Sequence, residues 1–83
     1  MTPFIRKVAS DVGLTMDEVR STRRNRKISY VRTAVSYLAV SELGLSAAEV
    51  GRKLGISGMG VGKCLDRGEK SFDKGSVISK YLQ

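Results

Sequence analysis

The apolar residues of the chain recur every three or four positions, which is the spacing of a single helix face. The first run predicts a helix from residue 2 to about residue 12, ended by Gly13. Its apolar face consists of Phe4, Ile5, Val8 and Val12. A second, short helix to about Arg20 is indicated by Thr15 and Glu18, which have the T-x-x-E spacing of a capping box.

The longest periodic stretch follows a polar, basic segment over residues 21–27, which lacks apolar periodicity and is predicted to be a loop. Ser29 is expected to cap the helix after it, which runs to about Leu43 and closes at Gly44. The buried stripe of this helix is expected to be Val31, Ala34, Val35, Leu38 and Ala39.

Two shorter helices follow the long one. Ser46 opens the first of them, which stops at Gly55, and the second runs over about residues 58–69. No run of residues alternates in the manner of a β-strand. The pattern therefore predicts an all-α domain of about five helices over residues 1–72, followed by a polar tail over residues 73–83 with no firm structure.

The segment over residues 47–67 meets the geometric demands of a helix-turn-helix, in which two helices joined by a short turn cross at a large angle. Gly51 supplies the small residue where the helices cross, and Gly55 supplies the left-handed turn. Ser57 is placed to cap the second helix. The angle is filled by Val50, Leu54, Ile56, Val61 and either Cys64 or Leu65. An ordinary helical hairpin in a small bundle is the alternative.

Charge points to a polyanionic partner. Fifteen Lys and Arg oppose eight Asp and Glu, for a formal net charge of +7. The single cysteine and the absence of histidine exclude a structural zinc site and histidine-based acid–base catalysis. We expect no cofactor, no metal and no catalysis. No apolar run reaches the ~20 residues that span a bilayer, and the N-terminus lacks a signal-peptide pattern, so the expected location is cytoplasmic.

Positive charge is concentrated before and within the start of the long helix. Six cationic residues fall within thirteen positions, and guanidinium groups can bridge phosphates or enter a narrow minor groove. Next to a helix-turn-helix, contact with DNA phosphates or the minor groove is favoured over a merely solvated face. The six are Arg20, Arg23, Arg24, Arg26, Lys27 and Arg32.

The last helix is rich in glycine, which costs about 1 kcal/mol per residue against alanine in a helix interior. One interpretation is close approach of the helix backbone to DNA, with Met59 on a thymine methyl and polar contacts from Ser57, Lys63 and Arg67. The other is a weak helix that is ordered by packing or on DNA. The glycines are Gly58, Gly60 and Gly62.

The glycines and Lys63 also resemble a phosphate-binding loop, but the sequence argues against one. The G-x-x-x-x-G-K-[ST] form would need glycine in place of Ser57 and serine or threonine in place of Cys64.

From about Val8 to Phe72 the chain resembles the C-terminal DNA-binding domain of the bacterial replication initiator DnaA. The resemblance is carried by the run STRRNR at residues 21–26, by Arg32 and by the run SAAEVG at residues 46–51. It implies an all-helical fold with a Trp-repressor-like helix-turn-helix and double-stranded DNA as the partner. It also implies that Arg24 enters the minor groove and that Arg32 reaches the major-groove side.

The residues expected to contact DNA come from the basic segment, the long helix, the start of the helix that Ser46 opens, and the last helix with its cap. They are Arg23, Arg24, Arg26, Lys27, Arg32, Thr33, Ser46, Ser57, Gly58, Met59, Gly60, Lys63 and Arg67.

The start of the last helix departs from the initiator, which reads its DNA box with an Asp-His-Thr-Thr run. Residues 57–60 replace all four of those side chains, so recognition of the initiator's own box is not expected. The chain looks more like the version of this domain found in REP-associated transposase-type proteins, where it accompanies other domains of the parent protein. The alternative function is a small helical interaction module whose basic surface binds an acidic partner.

Overall fold

The structure is a computed structural model that describes residues 2–21 and 25–82. The all-α prediction is confirmed, since these residues form six helices and no strand. In chain order the helices are α1 (Thr2–Asp11), α2 (Met16–Val19), α3 (Arg26–Ser41), α4 (Ala47–Leu54), α5 (Gly58–Ser71) and α6 (Lys74–Tyr81).

Helix α3 is the centre of the fold and contacts each of the other five helices. Its inward face is fully buried and matches the stripe predicted from the sequence, with Val31, Ala34, Val35, Leu38 and Ala39 all at 0% exposure. Helix α1 contributes Ile5, Val8 and Ala9 to the same core.

The prediction that Ser29 caps α3 is wrong, because Asn25 does so. The side-chain oxygen of Asn25 accepts a hydrogen bond from the Ile28 N–H at 2.8 Å. Ile28 is buried, and a helix beginning after Ser29 would leave it outside the helical frame that directs it into the core. Arg26 and Lys27 therefore lie in the first turn of α3 and not in the loop.

The segment after residue 72 carries a helix that the sequence pattern does not predict. Helix α6 packs against α1 and α3, with Val77 and Tyr81 buried. The Tyr81 hydroxyl donates to the Asp11 carboxylate at 2.8 Å and lies 2.5 Å from the Tyr30 hydroxyl. These contacts join residues far apart in the sequence, so the local spacing of apolar residues does not predict them. The domain boundary at residue 72 stays a prediction.

Candidate nucleic-acid interface

Helices α4 and α5 form the predicted helix-turn-helix, joined by a turn at residues 55–57. Gly55 adopts the left-handed conformation at φ 74°, and the Ile56 N–H donates to the Gly51 carbonyl oxygen at 2.9 Å. A Cβ added to Gly51 would lie 2.6 Å from the Ile56 carbonyl oxygen. The requirement for glycine at the crossing is therefore confirmed. Val50, Leu54 and Val61 fill the angle between the helices and are fully buried.

Ser57 begins α5 as predicted. Its hydroxyl oxygen accepts from the Gly60 N–H at 3.1 Å, which satisfies one of the free donors of the first turn. Further along, Gly68 is buried against Tyr37 of α3, where an added Cβ would lie 3.0 Å from the tyrosine Cβ and Cγ atoms. The capped start and this close contact fix the direction in which α5 leaves the turn.

The glycines near the start of α5 differ from Gly68. A Cβ added at Gly58 or Gly62 would meet no atom within 4 Å. Packing within the described part of the chain therefore does not require glycine at these two positions. Between them Met59 is 76% exposed, so the outer face of the first turn carries one large apolar side chain.

A groove of about 470 Å³ lies between the end of α2, the first half of α3 and the helix-turn-helix. We call it the basic groove. Its cationic residues come from separate elements: Arg20 follows α2, Arg32 lies on α3, and Lys63 and Arg67 lie on α5. Among the residues that the structure describes, none that lines this groove is acidic. The groove therefore concentrates positive charge beside the turn of the helix-turn-helix.

Two of these arginines are held by hydrogen bonds within the chain. Arg67 donates from Nη1 to the Ser29 hydroxyl at 3.2 Å, which joins α5 to the start of α3. Arg32 donates from Nε to the Val19 carbonyl oxygen at 3.0 Å and from Nη2 to the Ser21 carbonyl oxygen. Arg32 therefore supports the end of α2, and its reach to the major groove stays a prediction.

The remaining predicted contact residues are distributed unevenly. Arg26 and Lys27 are exposed on the first turn of α3. Ser46 is exposed at the start of α4, where its hydroxyl accepts from the Glu49 N–H, and it does not line the basic groove. Thr33 is only 2% exposed within α3, and it lies at the floor of a shallow depression that Arg26 and Arg67 also line.

Arg23 and Arg24 lie outside the described residues. Ser57 and Gly60 line the basic groove together with Lys63 and Arg67, as the spacing on one helix face requires. Arg20 lines the basic groove, although it is not among the residues expected to contact DNA. Arg20 directly follows α2, and its side chain packs beside Gly55 of the turn. Its place among the six clustered cationic residues is the sequence feature that could have identified it.

Among the described residues, no three His, Cys, Asp or Glu side chains are grouped so that they could hold a metal ion. Over the same residues, no helix has the length and apolar character needed to cross a membrane.

Residues 3–57 match the family model described as the bacterial DnaA protein helix-turn-helix. The chain belongs to this family. The resemblance drawn from the sequence is thereby confirmed at the level of a DnaA-type, DNA-binding helix-turn-helix, a kind of domain that is not catalytic. The match to the DnaA family model covers α1 to α4 and the turn, and it ends at the residue that caps α5.

Two curated relatives are chromosomal replication initiator proteins named DnaA. The protein from Thermosipho africanus (strain TCF52B) is 33% identical over 79 residues, which is 93% of this chain and 18% of the relative. The protein from Thermosipho melanesiensis is 37% identical over 68 residues, which is 81% of this chain and 16% of the relative. The chain thus spans less than a fifth of either relative. No solved structure gives a significant match.

Proposed function

We propose that the chain binds duplex DNA with α5 in a major groove and with the basic residues of the α2–α3 region on the adjacent phosphates and minor groove. The observation that carries this proposal is the basic groove, in which cations from α2, α3 and α5 converge beside the turn. A phosphodiester backbone running between the two DNA grooves is the partner whose charge fits this arrangement.

The spacing of the α5 residues supports this orientation. Gly60, Lys63 and Arg67 fall on one face of the helix, at intervals of three and four residues, and all three line the basic groove. The face turned to the groove therefore supplies charge for phosphates. The first turn of α5, with Gly58 and Met59 exposed, is left for the base edges.

The basic surface extends beyond the groove along the start of α3. Arg26 and Arg67 border a second, shallow depression, so positive charge continues from α5 to the first turn of α3. Arg23 and Arg24 precede Asn25, the residue that caps α3, in the sequence. We assign Arg23, Arg24, Arg26 and Lys27 to phosphate and minor-groove contacts, as guanidinium groups favour narrow and electronegative grooves.

In this proposal the chain is the DNA-binding domain of a transposase-type or DnaA-related protein and acts at the bacterial nucleoid, in the cytoplasm. The domain itself contributes neither catalysis nor a cofactor. The replaced Asp-His-Thr-Thr run argues for a target that differs from the initiator's box, since the side chains of residues 57–60 offer different groups to the bases.

The test is the salt dependence of binding to duplex DNA, followed by fluorescence anisotropy. Neutralising about five phosphates predicts a slope of roughly −4 to −5 in log affinity against log salt. Absence of binding at low salt would overturn the proposal and favour an interaction module for an acidic protein.

Charge-removing variants locate the interface. Lys63→Ala and Arg67→Ala should each weaken binding and reduce the magnitude of the salt slope by about one. Lys7→Ala is the matched control, because Lys7 is exposed on α1, which contributes nothing to the basic groove. An equal loss of affinity in the control would show that the groove is not the binding surface.

A further inference from the structure

We propose that Met59 determines sequence specificity by contacting the C5-methyl group of a thymine in the major groove. This inference rests on the proposed function, because it requires α5 to lie in that groove.

The exposure of Met59 is the first observation. Its side chain is 76% exposed, and the other large hydrophobic side chain exposed among the described residues is Leu43, at 45%, beyond the end of α3. Met59 is the second residue of α5, in the turn that a helix-turn-helix presents to base edges. No contact within the described chain accounts for an apolar side chain at this position.

The surrounding residues decide what kind of contact the first turn can make. Gly58 and Gly60 flank Met59 in the chain and offer no side chain. Ser57 uses its hydroxyl oxygen to cap the helix, accepting from the Gly60 N–H. Met59 is therefore the one long side chain of this turn, and it carries no strong hydrogen-bonding group.

An apolar side chain can distinguish one feature of the major-groove edge. All four bases present hydrogen-bonding groups there, but only thymine also presents a methyl group, at C5. The methionine side chain is flexible and polarisable, so it can adapt to a methyl group without demanding a single rotamer. Thymine is thus the base that the first turn of α5 can select.

The experiment begins with selection of random duplexes on the full chain, which yields a preferred site. Each thymine of that site is then replaced in turn by deoxyuridine, which lacks only the C5-methyl group. We expect one or two replacements to weaken binding by about fourfold each, the effect of exposing one methyl group. Replacements elsewhere in the site should leave the affinity unchanged.

Variants then assign the effect to Met59. In Met59→Ala the sensitive thymine and deoxyuridine should be bound equally well, while circular dichroism shows an unchanged fold because the side chain is exposed. Leu43→Ala is the control, since it removes the other exposed hydrophobic side chain and lies outside α5. It should retain the full preference for thymine.

The outcomes separate this inference from the proposed function. Binding that depends on salt but ignores every thymine methyl group, or that keeps the thymine preference in Met59→Ala, would overturn the role of Met59 and leave DNA binding intact. A chain that binds no duplex at low salt would overturn both proposals.

Discussion

The Nε atom of Arg32 donates a hydrogen bond to the carbonyl oxygen of Val19 at 3.0 Å, and so ties α3 to the last residue of α2. A second nitrogen of the same guanidinium donates to the Ser21 carbonyl oxygen. Both acceptors belong to the segment that leads into the basic residues 23–27. Arg32 therefore holds residues 19–21 against α3, and it also lines the basic groove.

Arg32→Lys should lower both stability and DNA affinity. A single ammonium group cannot reproduce the forked geometry that serves two carbonyl groups, so we expect a loss of about 1–2 kcal/mol in the free energy of unfolding. For a domain of this size, each kcal/mol corresponds to a fall of roughly 4–8 °C in Tm. Arg6→Lys is the control, because Arg6 is exposed on α1 and does not line the basic groove. An unchanged Tm in Arg32→Lys would contradict the supporting role.

Gly51→Ala should destabilise the domain even though alanine favours helices. The added Cβ would lie 2.6 Å from the Ile56 carbonyl oxygen, a backbone atom that can move only if the turn moves. Overpacking of this kind costs roughly 1–3 kcal/mol, and Gly51→Leu should prevent folding. Thermal melting followed by circular dichroism measures both. Gly62→Ala provides the comparison, because its Cβ meets no atom within 4 Å. Equal Tm values for the two alanine variants would refute the tight crossing.

The helix-turn-helix could be predicted because its determinants are local. Ser46, Gly55 and Ser57 each act within about four residues of their own position, through caps and a left-handed turn. The small residue at the crossing is also set by its distance from the turn. Local chemistry of this kind is visible in a sequence without knowledge of the remaining chain.

Features that depend on distant residues could not be predicted from the sequence. Asn25 and Ser29 are both suitable caps, and the burial of Ile28 decides between them. Helix α6 packs through Val77 and Tyr81, and the Tyr81 hydroxyl donates to Asp11, 70 residues away in the chain. The basic groove likewise combines cationic residues at the end of α2, on α3 and on α5. Packing of the helices brings these residues together, so the charged run at residues 20–32 does not by itself predict the groove.

Gly62→Ala should change stability and DNA binding in opposite directions. Replacing glycine in the interior of α5 with alanine should stabilise the helix by about 0.5–1 kcal/mol, since the new methyl group meets open space. On DNA the same methyl group would keep the helix backbone away from the duplex, so affinity should fall. Gly75→Ala in α6 should leave DNA affinity unchanged. A Gly62→Ala variant that binds as tightly as the parent would show that this part of α5 does not approach the duplex.

Acid should weaken the contact between α6 and α1. The hydrogen bond from Tyr81, followed by that from Lys80, holds the pKa of Asp11 below its ordinary value of 3.8. Because the pKa is lower in the folded state, the stabilisation is present above pH 3.8 and is lost as the pH falls through the folded-state value. Thermal melting between pH 6 and pH 3 should show a smaller decrease in Tm for Asp11→Asn than for the parent chain.

A second variant isolates the cause of that shift. Tyr81→Phe keeps the buried ring and removes the hydroxyl that donates to Asp11, so it should also reduce the acid-induced fall in Tm. If both variants lost stability in acid as steeply as the parent, other carboxylates would be responsible and the Asp11 contact would carry no pH dependence.

The position of α3 also governs how the domain opens. Since α3 touches every other helix, its core-facing amides can exchange their hydrogens with solvent only when the whole domain unfolds. The single turn of α2 and the glycine-rich start of α5 have far fewer buried side chains, and their amides should exchange through local opening. The segments proposed to meet DNA can thus adjust their shape while the frame that carries them stays folded.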